Sequence, residues 1–141
     1  MNTVDAAAPT PRPKNVRVQH ATRSDHATYL VELYNYGPAW AKRSENERTD
    51  FVNTVIEAVN RSKSAGVEVI AYGKNSLETH RRAPYDFFCV YRVPSAEFQR
   101  EFERQITASG WYDYFEQVNI GGPAEDFAAA LRGNAKVARP N

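Results

Sequence analysis

The sequence predicts an α+β domain in which helices cover one side of an antiparallel sheet. Strand-like and helix-like patterns alternate along residues 27–120, and a serine with a capping pattern precedes each long helical stretch. A length of 141 residues fits one domain. Residues 1–26 carry three alternating prolines and are predicted to be a flexible arm, and residues 133–141 a short tail. The domain is therefore expected to span residues 27–132.

The first half of the domain is predicted to contain a strand, a helix and a second strand. Residues 27–36 are rich in β-branched and aromatic side chains, which favours a strand. Ser44 and Glu47 form an S-x-x-E capping box, and apolar residues then recur at helical spacing up to Gly66. Residues 67–72 are the second strand. A polar loop over residues 73–84 follows, and it is too long for a tight hairpin.

The second half repeats the pattern in the order strand, helix, strand. Residues 85–93 are the most strand-like of the chain, Ser95 is the expected N-cap of a helix ending at Gly110, and residues 110–119 (GWYDYFEQVN) are the fourth strand. A terminal helix is expected over residues 123–132, beginning at Pro123. The order β-α-β-β-α-β is the ferredoxin-like arrangement, with a four-stranded antiparallel sheet and both long helices on one face. The other face needs a cover, which predicts a homodimer packed sheet to sheet with a cavity between or within the sheets.

Composition excludes several classes of function. The net charge of +1 lacks the surplus of Lys and Arg that nucleic-acid binding needs. No run of apolar residues is long enough for a signal peptide or a spanning helix, so no membrane association is expected. Cys89 is the single cysteine, so no intramolecular disulfide is possible and a cytoplasmic location is expected. No glycine-rich phosphate loop, dinucleotide fingerprint or nucleophile elbow occurs.

The segments APYDFFCVYRV, which leads into a helix, and GWYDYFEQVN, in this order of elements, resemble the dimeric α/β-barrel superfamily. More narrowly, residues 27–120 resemble a family of bacterial proteins of unknown function within it. The resemblance implies the fold and a dimer. It constrains the reaction far less, because the superfamily includes cofactor-free monooxygenases, lactone isomerases, polyketide cyclases, lyases, haem-dependent enzymes and non-catalytic stress proteins.

Two glutamates are the candidate general acids or bases. The more apolar set of the first strand (residues 29, 31 and 33) is expected to face the helices, which leaves the other set on the open face: Leu30, Glu32, Tyr34 and Tyr36. The first and last strands are neighbours in this topology, so Glu32 and Glu116 are expected to approach each other in an aromatic cavity, where at least one pKa would rise. A shift of one residue in the register of the last strand would place Gln117 there instead.

The loop KNSLETHRRAP holds a third candidate. His80 is the only histidine inside the domain and titrates in a useful range, although a lone loop histidine is most often solvated. Arg82, and Arg81 beside it, are expected to bind a substrate carboxylate or phosphate, or else to be surface charge. No metal site is predicted with one domain histidine, and no cofactor is expected, although the superfamily's haem-dependent members keep a haem at His80 open.

Aromatic residues are expected to line the pocket. The candidates for substrate binding are Tyr34, Tyr72, Tyr112, Tyr114 and Trp40, each offering a ring with a polar group. Trp40 has a second interpretation, as a contact that fixes a loop to the first helix.

Three further residues are interpreted as structural. Asp86 and Asp113 sit in aromatic strands and are expected to be hydrogen-bonded rather than catalytic. Cys89 is expected to be an inert small apolar residue.

The sequence therefore leaves two functions open. The first is a small cofactor-independent enzyme that uses acid–base chemistry, of isomerase, cyclase, lyase or monooxygenase type, on an aromatic or unsaturated small molecule. The second is a non-catalytic dimeric module that binds a small molecule or a protein. An enclosed pocket with a perturbed carboxylate or histidine distinguishes the first from the second.

Overall fold

The structure is a computed structural model that describes residues 27–138, and it confirms the predicted α+β class. The predicted arm over residues 1–26 and the end of the predicted tail, residues 139–141, lie outside the described residues. The elements are β1 Thr28–Tyr36, α1 Pro38–Lys42, α2 Glu45–Ser64, β2 Glu68–Lys74, β3 Phe87–Val93, α3 Ala96–Ala108, α4 Trp111–Tyr114, β4 Phe115–Pro123 and α5 Phe127–Asn134.

The sheet has the strand order β2-β3-β1-β4, and all three pairs of neighbours are antiparallel. This order and the helical crossovers are those of a ferredoxin-like fold. None of the helices in the described part of the chain is long and apolar enough to span a membrane.

Both predicted serine caps are confirmed. The Glu47 amide donates to Ser44 Oγ at 3.2 Å, and the Ser44 amide donates to Glu47 Oε2 at 3.1 Å, which completes the capping box of α2. Gly66 follows α2 with φ 110°, a left-handed conformation that favours glycine. At α3, the Phe98 amide donates to Ser95 Oγ at 3.0 Å.

The end of the domain differs from the prediction over residues 110–132. Residues 111–114 of the expected fourth strand form the short helix α4, and its N-cap Gly110 adopts a left-handed conformation with φ 83° directly after α3. Strand β4 then continues to Pro123, where the terminal helix was expected to begin. Helix α5 begins only after Asp126, whose side chain accepts a hydrogen bond from the Ala129 amide at 2.9 Å.

The two faces of the sheet are the reverse of those predicted. In β1, Leu30 is completely buried, and it shares the core under the helices with Phe102 of α3. Since alternate residues share a face, Glu32 and Tyr34 also lie on this helix-covered side, which we call the covered face. The prediction assigned the more apolar set of β1 residues to the helix side. This criterion failed because the covered face also forms a cavity, whose wall contains polar and aromatic side chains.

The opposite side of the sheet, which we call the open face, carries the alternate residues. Val31 pairs with Ile120, and Leu33 pairs with Val118. The exposed fractions are 64% for Ile120 and 42% for Val118. The open face therefore presents apolar side chains that the described elements leave uncovered on β4.

Candidate functional site

A cavity of about 720 Å³ lies between the covered face and helices α2 and α3. Its wall is largely apolar, and its aromatic rings include Tyr34, Trp40, Phe51, Phe87, Trp111 and Phe115. Helix α2 roofs this cavity without packing closely on the sheet, since Val52 and Ile56 line the cavity but remain 38% and 50% exposed. The prediction allowed a cavity between or within the sheets, as a pocket of each protomer, and a single chain forms this one between its sheet and its helices.

Glu32 is the acidic residue in the wall of this cavity, and it is only 2% exposed. The Tyr34 hydroxyl donates to Glu32 Oε1 at 2.5 Å, and Gln117 Nε2 donates to Glu32 Oε2 at 2.5 Å. A hydrogen-bond donor therefore faces each oxygen of the carboxyl group. Such an arrangement satisfies a carboxylate that burial would otherwise penalise heavily.

Burial raises the pKa of Glu32 to about 7 from an ordinary value of 4.5. The hydrogen bonds from Tyr34 and Gln117 oppose this rise, and the negative charge of Glu103 adds to it. At neutral pH both the acid and the carboxylate are populated. A group with this property can take up or release a proton in a catalytic cycle.

Gln117 connects Glu32 to a wider hydrogen-bond network. Its Oε1 accepts from the Trp111 indole Nε1 at 2.8 Å, and its Nε2 also donates to Asn119 Oδ1 at 2.7 Å. Trp111 stacks on Phe115 with ring centroids 4.1 Å apart. The network thus joins strands β1 and β4 to the short helix α4.

Two further groups on β3 lie in the same wall. Burial raises the pKa of Cys89 to about 11, so its thiol keeps its proton at neutral pH, in accord with its predicted role as a small apolar residue. Burial and the charge of Glu32 also raise the pKa of Tyr91 and of Tyr34 far above the usual range. Both hydroxyls therefore keep their protons at neutral pH.

Glu116 does not meet Glu32, so the predicted approach of the two carboxylates is wrong. It pairs with Asn35 in the β1–β4 register, whereas Gln117 pairs with Tyr34. Glu116 consequently points away from the covered face and is exposed. The physical reason is that α4 takes up residues 111–114 of the expected strand, and the pairing of β4 with β1 then places Gln117 beside Glu32.

The loop candidates lie outside the cavity. His80 is exposed and does not line it. The Arg82 guanidinium donates to four backbone carbonyls, at 2.8 to 3.4 Å, and these belong to Asn75, Ser76, Ala83 and Tyr85. Arg82 therefore holds the loop together.

The predicted aromatic residues divide into three groups. Tyr34, Trp40 and Tyr72 line the cavity, and Tyr72 is 65% exposed. Tyr114 lies behind the wall, where its ring packs on Trp40 at 5.5 Å. Tyr112 borders a separate, shallower groove of about 350 Å³ beside α3. Two of the five candidates therefore lie outside the main cavity.

The two aspartates interpreted as structural occupy different environments. Asp86 Oδ2 accepts a hydrogen bond from the Tyr36 amide at 3.1 Å, which confirms the predicted backbone contact. Asp113 lies in α4 and is exposed.

Gln117 was predicted in the site only as the alternative to Glu116 after a shift of one residue, and Trp111 was assigned no role. For Gln117, the sequence signal was the alternation of Phe115, Gln117 and Asn119 on one face of the last strand. This alternation identifies a site residue only once the register with β1 is known. No group of three potential metal-ligating side chains occurs within residues 27–138.

The fold and the site define a ferredoxin-like α+β protein that has an aromatic cavity with one buried carboxyl group in its wall. Residues 27–137 match the model of a family of unknown function, DUF6616, and the chain belongs to this family. No curated protein and no solved structure matches the chain.

Proposed function

We propose that the protein is a cofactor-independent enzyme that uses Glu32 to transfer a proton to or from an aromatic or unsaturated small molecule. The observation that carries this proposal is a buried carboxyl group with a pKa of about 7 in the wall of an aromatic cavity of about 720 Å³. Perturbed carboxyl groups in apolar pockets are typical of general acids and bases. Isomerisation, cyclisation, lyase chemistry and oxygen insertion through a carbanion all include such a step.

The residues of the cavity wall support this assignment because some offer contact area to a ligand and one offers a group for proton transfer. Aromatic rings such as Phe87 and Phe115 offer contact area to the body of an unsaturated ligand. Glu32 supplies the proton-transfer group, and the hydroxyl of Tyr34 donates a hydrogen bond to it at 2.5 Å. A positioned acid or base of this kind contributes about 10²–10⁴-fold to a reaction rate.

The test measures proton transfer without requiring the natural substrate. Aromatic and unsaturated carbon acids, such as aryl ketones and unsaturated lactones, are first screened for binding by quenching of tryptophan fluorescence, since Trp40 and Trp111 line the cavity. Those that bind are incubated with the protein in heavy water near neutral pH. Proton NMR then follows replacement of the acidic C–H by deuterium.

Two matched variants make the result specific. Glu32→Gln keeps the size of the side chain and is expected to lower the exchange rate by about 10²–10⁴-fold. Glu116→Gln is the same substitution on the open face and is expected to leave the rate unchanged. If bound compounds exchange no faster than in buffer, or if Glu32→Gln keeps the full rate, the proposal is wrong. Binding without exchange would instead favour the non-catalytic module.

We also propose that the protein forms a homodimer through the open face. Support comes from Ile120 and Val118, which are 64% and 42% exposed beside Val31 and Leu33. The charged pair on this face, Arg92 Nη1 and Glu68 Oε1, is 3.7 Å apart within the chain itself. An exposed apolar patch of this kind can pack against the same patch of a second copy, as a two-fold interface requires.

We also propose a cytoplasmic location for the protein. It is supported by the single cysteine, Cys89, which has no second cysteine in the chain with which to form a disulfide.

A further inference from the structure

We propose that Gln117 and Trp111 are positioning residues that keep a hydrogen-bond donor on Oε2 of Glu32. This inference rests on the proposed role of Glu32 as the acid–base group. It follows from the orientation of one side-chain amide, which three hydrogen bonds fix.

The indole of Trp111 determines which end of the Gln117 amide faces Glu32. An indole N–H is only a donor, so the amide oxygen of Gln117 must face it, as the 2.8 Å bond records. The NH₂ group must then point the other way, toward Glu32 Oε2 at 2.5 Å and Asn119 Oδ1 at 2.7 Å. A flipped amide would place its oxygen against the carboxylate and lose both contacts.

Trp111 is itself held in place by its surroundings. Gly110 at φ 83° turns the chain so that α4 begins at Trp111, and the indole stacks on Phe115 at 4.1 Å. The same indole contacts the ring of Tyr34 edge-on, with centroids 5.4 Å apart. Trp111 therefore touches both residues that donate to Glu32, one through a hydrogen bond and one through its ring.

The consequence for Glu32 is a pKa lower than burial alone would give. A donor on a carboxylate oxygen stabilises the charge, which lowers the pKa. Tyr34 on β1 and Glu103 on α3 also act on Glu32, and the charge of Glu32 acts in turn on Cys89 and Tyr91 on β3 and on Tyr112 on α4. Two further titratable groups line the same cavity, Lys63 on α2 and Tyr72 on β2. The substitutions below leave all of them in place.

The experiment follows the titration of Glu32 in the full chain by carbon-13 NMR of the side-chain carboxyl carbon, which is assigned with Glu32→Gln. Trp111→Phe keeps a ring and removes the N–H, and Gln117→Leu removes the amide. We expect each to raise the pKa of Glu32, by about one unit for Gln117→Leu, which is a tenfold change in proton affinity. Trp40→Phe removes an indole N–H elsewhere in the same wall and is expected to leave the titration unchanged.

A double variant tests whether Trp111 acts through Gln117. In the Gln117→Leu background, Trp111→Phe is expected to add no further shift, because the amide that it orients is gone. A shift that persists there would show that Trp111 acts by packing alone, and an unchanged titration in both single variants would overturn the proposal altogether. If Trp111→Phe fails to fold, the indole N–H signal of Trp111 must still move in Gln117→Leu.

This result is separable from the proposed function. If the titration responds as expected while no carbon acid exchanges its proton, the positioning role stands and the enzymatic role fails. If exchange depends on Glu32 while neither variant changes its titration, the enzymatic role stands and the positioning role fails.

Discussion

The two faces of the sheet hold glutamates in opposite environments, although their strands are neighbours. On the covered face, Glu32 is 2% exposed and a donor contacts each of its carboxyl oxygens. On the open face, Glu116 is exposed to solvent in strand β4. The comparison shows that a glutamate becomes a candidate acid–base group through burial in a cavity with satisfied oxygens, and that its place in an aromatic strand is insufficient.

The largest expected difference between the faces is in stability. Leu30 is completely buried on the covered face, so Leu30→Ala is expected to lower the free energy of unfolding by about 2–5 kcal/mol. Ile120 is 64% exposed on the open face, so Ile120→Ala is expected to change it by less than about 0.5 kcal/mol in dilute protein. Urea denaturation of both variants measures the two values. Equal losses in dilute protein would contradict the assignment of the faces.

The second prediction concerns the pH dependence of stability. The pKa of Glu32 is raised to about 7 from 4.5, so between these values the folded protein retains a proton that the unfolded chain releases. The free energy of unfolding must therefore fall as pH rises through this window, by about 3 kcal/mol. Glu32→Gln lacks this loss and is expected to gain stability relative to the wild type from pH 4.5 to pH 7.

Urea denaturation at a series of pH values measures this difference. Glu116→Gln serves as the control, because its side chain is exposed and its profile should parallel that of the wild type. A constant difference between Glu32→Gln and the wild type across the window would show that the buried carboxyl group has an ordinary pKa.

The elements of the fold were largely predictable because their signals are local. Ser44 and Ser95 mark helix starts through contacts within three residues, and Gly66 marks the end of α2 through its backbone conformation. The end of the domain was predicted less well. Gly110 was identified as the end of α3, but the short helix after it depends on φ 83°, which composition alone does not specify.

The site was only partly predictable because its geometry depends on pairing between distant strands. Glu32 was identified from its aromatic strand, but its partner depends on whether residue 116 or 117 faces the same side. His80 and Arg82 were suggested by residue type, and their loop lies outside the cavity. Residue type indicates candidate chemistry, and register decides which candidates meet.

The third prediction tests the open face as an interface. Ile120→Glu places a charge in the apolar patch, so it is expected to raise the dissociation constant of the proposed dimer at least tenfold, or about 1.4 kcal/mol. Sedimentation velocity at several protein concentrations measures this constant. Leu77→Glu is the matched control, since Leu77 is 87% exposed in the loop after β2. A monomeric wild type at high concentration would contradict the dimer.

The smallest expected effect distinguishes the two helices that cover the sheet. Ser44→Ala and Ser95→Ala each remove an N-cap worth about 1 kcal/mol. Helix α3 buries Phe102 in the core, so the loss of its cap should lower the global free energy of unfolding.

Helix α2 covers the cavity, and its only buried residue is Ser62 near its C-terminal end. The loss of its cap should therefore appear mainly as local opening, with amide exchange in its first turns about fivefold faster. Hydrogen exchange followed by mass spectrometry on both variants separates the two effects. Equal global losses would mean that α2 is packed as firmly as α3.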